Sequence, residues 1–271
     1  MLTQAKSNME NKKIIPITEL GLSSEGKIYI NDSLTDIYLI EDHADIIIEE
    51  NVSVSLLDKT NSKSINLEAK KYSNVKYLIL DSKNSKRELN INGELDLTLI
   101  SLEKTNENLR VNLNDEYANA NCKYLSIASG TNNTFKQYIA HNSKLTTSNI
   151  TNVGVSMNKS DIVFDTTGFV AKGMNQSKCS QLSRGIVMDD VSSVTAKPIL
   201  LIDEFDCFAN HGASIGKMSD EDLFYLMSRG LNKKEAFLLI LQGIIAPYIS
   251  SIEIEELKNE LQIKVSNLIE K

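Results

Sequence analysis

Between Ile28 and about Phe208 the apolar residues arrive in short, β-rich runs, among them "KIYI", "ADIIIEE", "VSVSLL", "KYLIL", "LDLTLISL", "KYLSIA", "DIVFD" and "KPILLID". Asn, Asp, Ser, Lys and Gly separate them, the residues of tight turns and polar corners. Within runs such as "LNINGELDLTLISL" apolar and polar positions alternate, which is the period of a strand with one buried face. No helical pattern of ten residues interrupts the stretch. So many short strands without helices leave a sandwich, a barrel or a solenoid. With only 3 Pro and 12 Gly but many turn Asn residues, the pattern favours a β-solenoid. In such a fold each coil turns its apolar side chains inward and stacks polar residues at its corners.

At Ser219 the period changes. Ser219 with Asp222 three residues on is close to a capping box, the hydroxyl serving a free backbone N–H and the acid facing the positive helix end. Leu223, Phe224, Leu226 and Met227 form an apolar helix face, and Gly230 supplies a stop. Asn232 caps a second helix expected to end at Pro247, and a third is expected from about Ile252 to Ile269. The chain thus divides into an N-terminal segment (1–27), a β core (28–217) and a small helical domain (218–271).

Composition narrows the functions. The 271 residues carry 29 Lys and Arg against 36 Asp and Glu, a formal net charge of −7. Without a dense basic block, nucleic acid is not an expected partner. Cys122, Cys179 and Cys207 are too few and too odd in number for a disulfide framework and suit a reducing cytoplasm. "MLTQAKSNMENKK" has no apolar core of the kind a secretory signal needs. The most apolar run, Ala236 to Ile249, is too short to span a bilayer, so a buried or partner-facing helix is expected and no membrane association.

The densest candidate chemistry lies in "CFANHGASIGKM", Cys207 to Met218. A phosphate loop needs four residues between its glycines, followed by Lys and a hydroxyl. Here three separate Gly212 from Gly216, and Met218 stands where the hydroxyl belongs, so no tightly bound nucleotide is expected. Cys207 and His211 are both competent ligands for borderline metals, and their even spacing puts them on one face of an extended segment. The alternative is that Cys207 fills space and His211 closes a strand–loop junction. Classical catalysis has little footing: there is no G-x-S-x-G elbow, His43 lies in an acidic turn, and His141 reads as a satisfied turn histidine. Asp203, Glu204 and Asp206 in "LIDEFD" read as the exposed face of an edge strand, with an acid–base pair as the alternative.

The same region resembles the C-terminal signature of the SufB/SufD family, scaffold components of SUF iron–sulfur cluster assembly. "HGASIGKMSDEDLFYLMSRGLNKKEA" carries the resemblance, and "TAKPILLID" and "IAHNSKLTTSN" extend it from about Tyr138 to Ile249. The resemblance implies a mainly β fold, a right-handed parallel β-helix followed by a small α-helical domain. It implies two partners, a SufC-type ABC ATPase docking on the helices and a second SufB/SufD subunit, whether in a homodimer or a heterodimer. It also implies a transient iron–sulfur cluster, with no enzymatic activity in this chain. His211 matches the His of the family's His-Gly-Ala motif. Gly212 stands where SufB-type members carry Glu, which makes the chain SufD-like or a short, minimal form of the family. The position of the SufB-type cluster thiol falls near Ser183, with Cys179 four residues earlier.

Candidate cluster-assembly residues are therefore His211, Cys207 and Cys179. The expected ATPase contact comprises Phe224, Tyr225, Phe237, Leu238 and Leu239. Two other readings stand beside this one: a β-helix binding module without cluster chemistry, and a carbohydrate-active β-helix enzyme using Asp203, Glu204 and Asp206.

Overall fold

The computed structural model describes residues 12–270; the start of the N-terminal segment and Lys271 lie outside it. Its strands follow one another with little between them but corners. They are β1 (Ile14–Pro16), β2 (Ile28–Ile30), β3 (Ile37–Ile40), β4 (Ala44–Ile48), β5 (Ser53–Asp58), β6 (Ser64–Ala69), β7 (Asn74–Leu80), β8 (Lys86–Ile91) and β9 (Glu94–Ser101). Then come β10 (Asn106–Leu113), β11 (Asn119–Ser129), β12 (Asn132–His141), β13 (Thr147–Met157), β14 (Asp161–Val170), β15 (Lys178–Val187), β16 (Ser193–Ile202) and β17 (Phe208–Lys217). All odd-numbered strands form one sheet and all even-numbered strands the other, each strand paired with the next but one. Every ladder runs parallel, as between β11 and β13 or β14 and β16. This is a parallel β-helix of two-strand coils.

The coils widen along the chain. Ile37 pairs with Ser55, 18 positions on, whereas Lys178 pairs with Phe208, 30 positions on. Strands lengthen with them, from 3 residues in β2 to 10 in β16 and β17. Alternate side chains fill the space between the sheets; Ile40, Ile65, Leu89, Val111, Phe135 and Ile162 are fully enclosed there. At the corners the backbone passes through the left-handed region at polar residues such as Asn51, Asp81, Asn84 and Asn158. Asn and Asp enter that region more readily than most residues.

Three helices follow: α1 (Asp220–Ser228), α2 (Lys233–Ser250) and α3 (Glu255–Glu270). Ser219 caps α1 by accepting from the Asp222 N–H at 3.2 Å. Asn232 caps α2 through a reciprocal box with Glu235. Gly230 takes a positive φ of 98° at the break between them.

Two expectations need correction here. Pro247 lies inside α2 rather than at its end. The cost of the lost N–H bond is offset by packing, since the buried Tyr248 and Ile249 hold the last turn against the sheet. The third helix begins at Glu255, because Ile252 is spent as a buried anchor in the α2–α3 connection.

The helices fold back over the outer face of the odd-numbered sheet. Leu241, Ile245, Tyr248, Ile249, Leu257, Leu261 and Val265 pack on a row from Ile37 through Leu57, Leu80, Ile100, Leu125 and Val155 to Ile186. That row spans β3 to β15. Glu253 fastens the α2–α3 connection by ion pairs to Lys12 and Lys76. Among the described residues no helix is long and apolar enough to cross a membrane.

Candidate functional site

The segment "NHGASIGK" belongs to the ten-residue strand β17, paired with β15 from Lys178↔Phe208 to Val187↔Lys217. Parallel pairing to a complete neighbour holds it extended despite Gly212 and Gly216, and this removes any phosphate-loop geometry. β17 ends the odd-numbered sheet and β16 ends the even-numbered one, so both present an unpaired edge. Among the described residues none closes the solenoid at this end: Leu182, Ile199, Leu201, Phe205, Phe208 and Ile215 are exposed around it.

Register places the candidates. Cys179, Gln181 and Ser183 of β15 point into the solenoid and are buried. Their partners on β17 are Ala209, His211 and Ala213, so His211 faces the interior side of the last coil. Among the described residues none covers that coil, and His211 is exposed. Cys207 sits just before the strand, beside Ser177, whose carbonyl accepts from the Phe208 N–H. Its Sγ donates to the Glu204 carbonyl at 3.2 Å. Cys207 thus precedes β17 and His211 lies within it, both in the last coil of the solenoid.

Cys179 lies on β15, opposite Ala209 and near enough to Cys207 for that thiol's charge to raise its pKa. It is fully buried, and a Cβ added at Gly168 would come within 2.4 Å of its Sγ. Burial holds its thiol above the ordinary range, against a hydrogen bond from Ser148. Cys207 is also raised, by burial and then by the charges of Glu204 and Asp206. Neither cysteine is tuned toward thiolate in the isolated chain. Among the described residues no group of three or more His, Cys, Asp and Glu side chains is arranged to hold a metal. One chain offers an imidazole and a thiol at its open end, less than a coordination sphere.

Ser183, where a SufB-type thiol is expected, is buried and accepts from Asn152 Nδ2 at 3.2 Å. Asn152 also donates to Thr166 Oγ1 and accepts from Gln137, which in turn accepts from Thr166. The interior beneath the open end is therefore polar and internally bonded. His141, at the end of β12, is enclosed between Thr146 Oγ1 at 2.7 Å and Ser148 Oγ at 2.9 Å. Burial lowers its pKa to about 4, which keeps it neutral. Glu204 is occupied by the Gly173 and Asp206 N–H groups, so the "LIDEFD" acids organise a corner.

Sequence reasoning overlooked a charged cluster inside the narrower coils. Arg87 Nε donates to Asp58 Oδ2 at 2.8 Å, its Nη2 to Ser82 Oγ at 2.9 Å, and its Nη1 to Glu107. Tyr77 OH also donates to Asp58. Burial raises Asp58, but Arg87's charge and hydrogen bonds outweigh it, and the carboxyl ends below its usual range. Glu107 is pushed by burial to about 7, with Arg87 opposing. The available signal was Arg87 at an inward position of the alternating "KRELNI".

On the helical side, Phe224, Tyr225 and Leu239 are exposed. Phe237 packs against the helix–sheet core, and Leu238 is half-buried. Arg229 lies over the Tyr225 ring at 5.3 Å.

The fold and this site define a parallel β-helix with an unfinished end and a helical strap. The chain belongs to the SufBD family: it matches the SUF system FeS cluster assembly SufBD core domain over residues 38–244. It is 35% identical over 127 residues to the iron–sulfur cluster assembly protein SufD of Bacillus subtilis, covering 47% of this chain and 29% of that one. An iron–sulfur cluster assembly SufBD family protein of Pyrococcus horikoshii is 32% identical over 122 residues, 42% of this chain and 27% of its own. The SufD of Escherichia coli is 26% identical over 130 residues, 48% and 31%. The matched stretch spans less than a third of the length of each of these relatives.

Proposed function

We propose that this chain is a non-enzymatic scaffold of iron–sulfur cluster assembly in the cytoplasm, handling the cluster as cargo. It works with a SufC-type ABC ATPase and a second SufB/SufD-type subunit. The observation that carries the reading is the open last coil, with His211 turned to its interior side and Cys207 just before the same strand. A subunit meeting this end would bring its own ligands to His211, and a sphere shared between two chains is one that can open to release a cluster. Family membership supports the cargo, and the exposed aromatic pair Phe224–Tyr225 supports a docking surface for the ATPase.

The test is His211→Ala. An exposed side chain at a strand edge costs under about 0.5 kcal/mol, so the variant should melt within a few degrees of wild type. After anaerobic reconstitution with iron and sulfide it should retain less of both. Undiminished cluster content in a folded variant would remove His211 from the mechanism. A second reading, a partner-binding module without cluster chemistry, is favoured by the sealed Cys179 and the hydrogen-bonded Ser183. Wild-type protein that binds its partners but takes up no iron and sulfide would establish it instead.

A further inference from the structure

Gln181 carries an unexplained buried atom. Its side chain is 2% exposed, and its Oε1 has no hydrogen-bond partner. The amide orientation is fixed, because Nε2 donates to the Ile199 carbonyl at 3.2 Å and the opposite assignment would set two acceptors together. Leaving a buried acceptor unpaired costs about 1–3 kcal/mol.

The surroundings offer few donors. On β13 the register partner is Ile150, which is apolar. On the facing sheet Thr166 already donates to Gln137, and Gly168, Pro198 and Leu200 carry no side-chain donor. The partner on β17 is His211, on the same face and one strand spacing away, about 4.8 Å. A neutral imidazole has one N–H to give and one lone pair to keep. Because His211 is exposed, rotation of its side chain can bring that N–H to Gln181 without moving the backbone.

We propose that Gln181 is the positioning residue for His211: its side-chain carbonyl accepts the ring proton and aims the other nitrogen's lone pair out of the open end. The contact fixes one tautomer and turns a freely rotating imidazole into an oriented donor for a cation presented there. Carbonyl and carboxylate partners orient ligating histidines in this way, and their removal commonly costs 10–100-fold in metal affinity. The inference rests on the reading of His211 as a ligand, and it adds which atom holds the ring.

The experiment is imidazole nitrogen NMR on the full chain in mildly alkaline buffer, with signals assigned by single His substitutions. In wild type the His211 ring should populate a single tautomer. In Gln181→Leu it should show the mixture typical of free histidine, while urea unfolding confirms a folded protein. Gln181→Glu, which keeps an oxygen acceptor, should restore the wild-type pattern, and it carries the test alone if the Leu variant does not fold. A His211 ring with unchanged tautomer balance in folded Gln181→Leu, or one resembling free histidine in folded Gln181→Glu, overturns the proposal. Reconstitution of the same variants should show reduced iron retention for Leu and recovery for Glu. Full iron retention in His211→Ala would instead refute the ligand reading, whatever the tautomer result.

Discussion

Two buried groups titrate in opposite directions across the same pH range, and substitution can separate them. Glu107 rises from 4.5 in the ordinary state to about 7 in the fold, so between those values the folded chain binds a proton that the unfolded chain does not. Its contribution to stability is fully present below about pH 4.5 and is lost as pH rises toward 7. His141 falls from 6.5 to about 4, so its contribution is present above about pH 6.5 and is lost as pH falls toward 4. Each shift is about 2.5 pKa units, or on the order of 3 kcal/mol. The wild-type protein should therefore show a nearly level stability between about pH 5 and 6.5. Glu107→Gln removes one slope and unmasks the other: urea unfolding should show stability falling by up to about 2 kcal/mol on acidification across that window. His141→Asn should do the reverse and gain stability as the pH drops. Asp58 stays out of the comparison, since a lowered carboxyl loses its contribution only at more acid pH. Equal slopes for wild type and Glu107→Gln, both folded, would refute a proton-holding carboxyl inside the solenoid.

Gly168→Ala should destabilise by about 1–3 kcal/mol because its Cβ meets Cys179 Sγ; a cost in urea unchanged by adding Cys179→Ala would show that the sulfur is not the obstacle. Asn232→Ala breaks the α2 capping box and should cost about 1 kcal/mol by the same assay. Phe224→Ala with Tyr225→Ala should leave the melting temperature unchanged and abolish co-elution with a SufC-type ATPase, whereas full co-elution would place the docking surface elsewhere. Truncation after Met218 should yield an aggregating, dye-binding β body, because it uncovers the apolar row from Ile37 to Ile186. A soluble monomer from that truncation would show the strap to be dispensable.

The sequence made some of this architecture legible and concealed the rest for physical reasons. Alternation marked most strands, and Ser219 and Asn232 announced two helix starts, because caps depend on a few adjacent residues. The solenoid period was blurred because the offset from one coil to the next varies between 18 and 32 residues, so no fixed repeat exists to be found. β17 was obscured because its two glycines signal a turn locally, while a ten-residue ladder to β15 decides the outcome. Pro247 signalled a helix end, and packing of Tyr248 and Ile249 overrode it. His211 was legible as a residue of an extended segment, and β17 contains it. That this strand lies at the mouth of an uncapped solenoid depends on the strand count, which no local pattern contains. Gln181 was illegible, since only the register makes its oxygen an orphan.

The widening of the coils also governs what this molecule can build. A rod of uniform coils with bare ends can add copies head to tail without limit, and such growth yields fibres. Here the first coil presents three-residue strands, with a 3₁₀ turn at Ile17–Leu20 packed beside them through the buried Ile17, while the last presents ten-residue strands. Head-to-tail stacking would leave most of each long edge without a counterpart. Among the described residues the two ends are therefore not interchangeable, and the taper works against open-ended stacking of like copies.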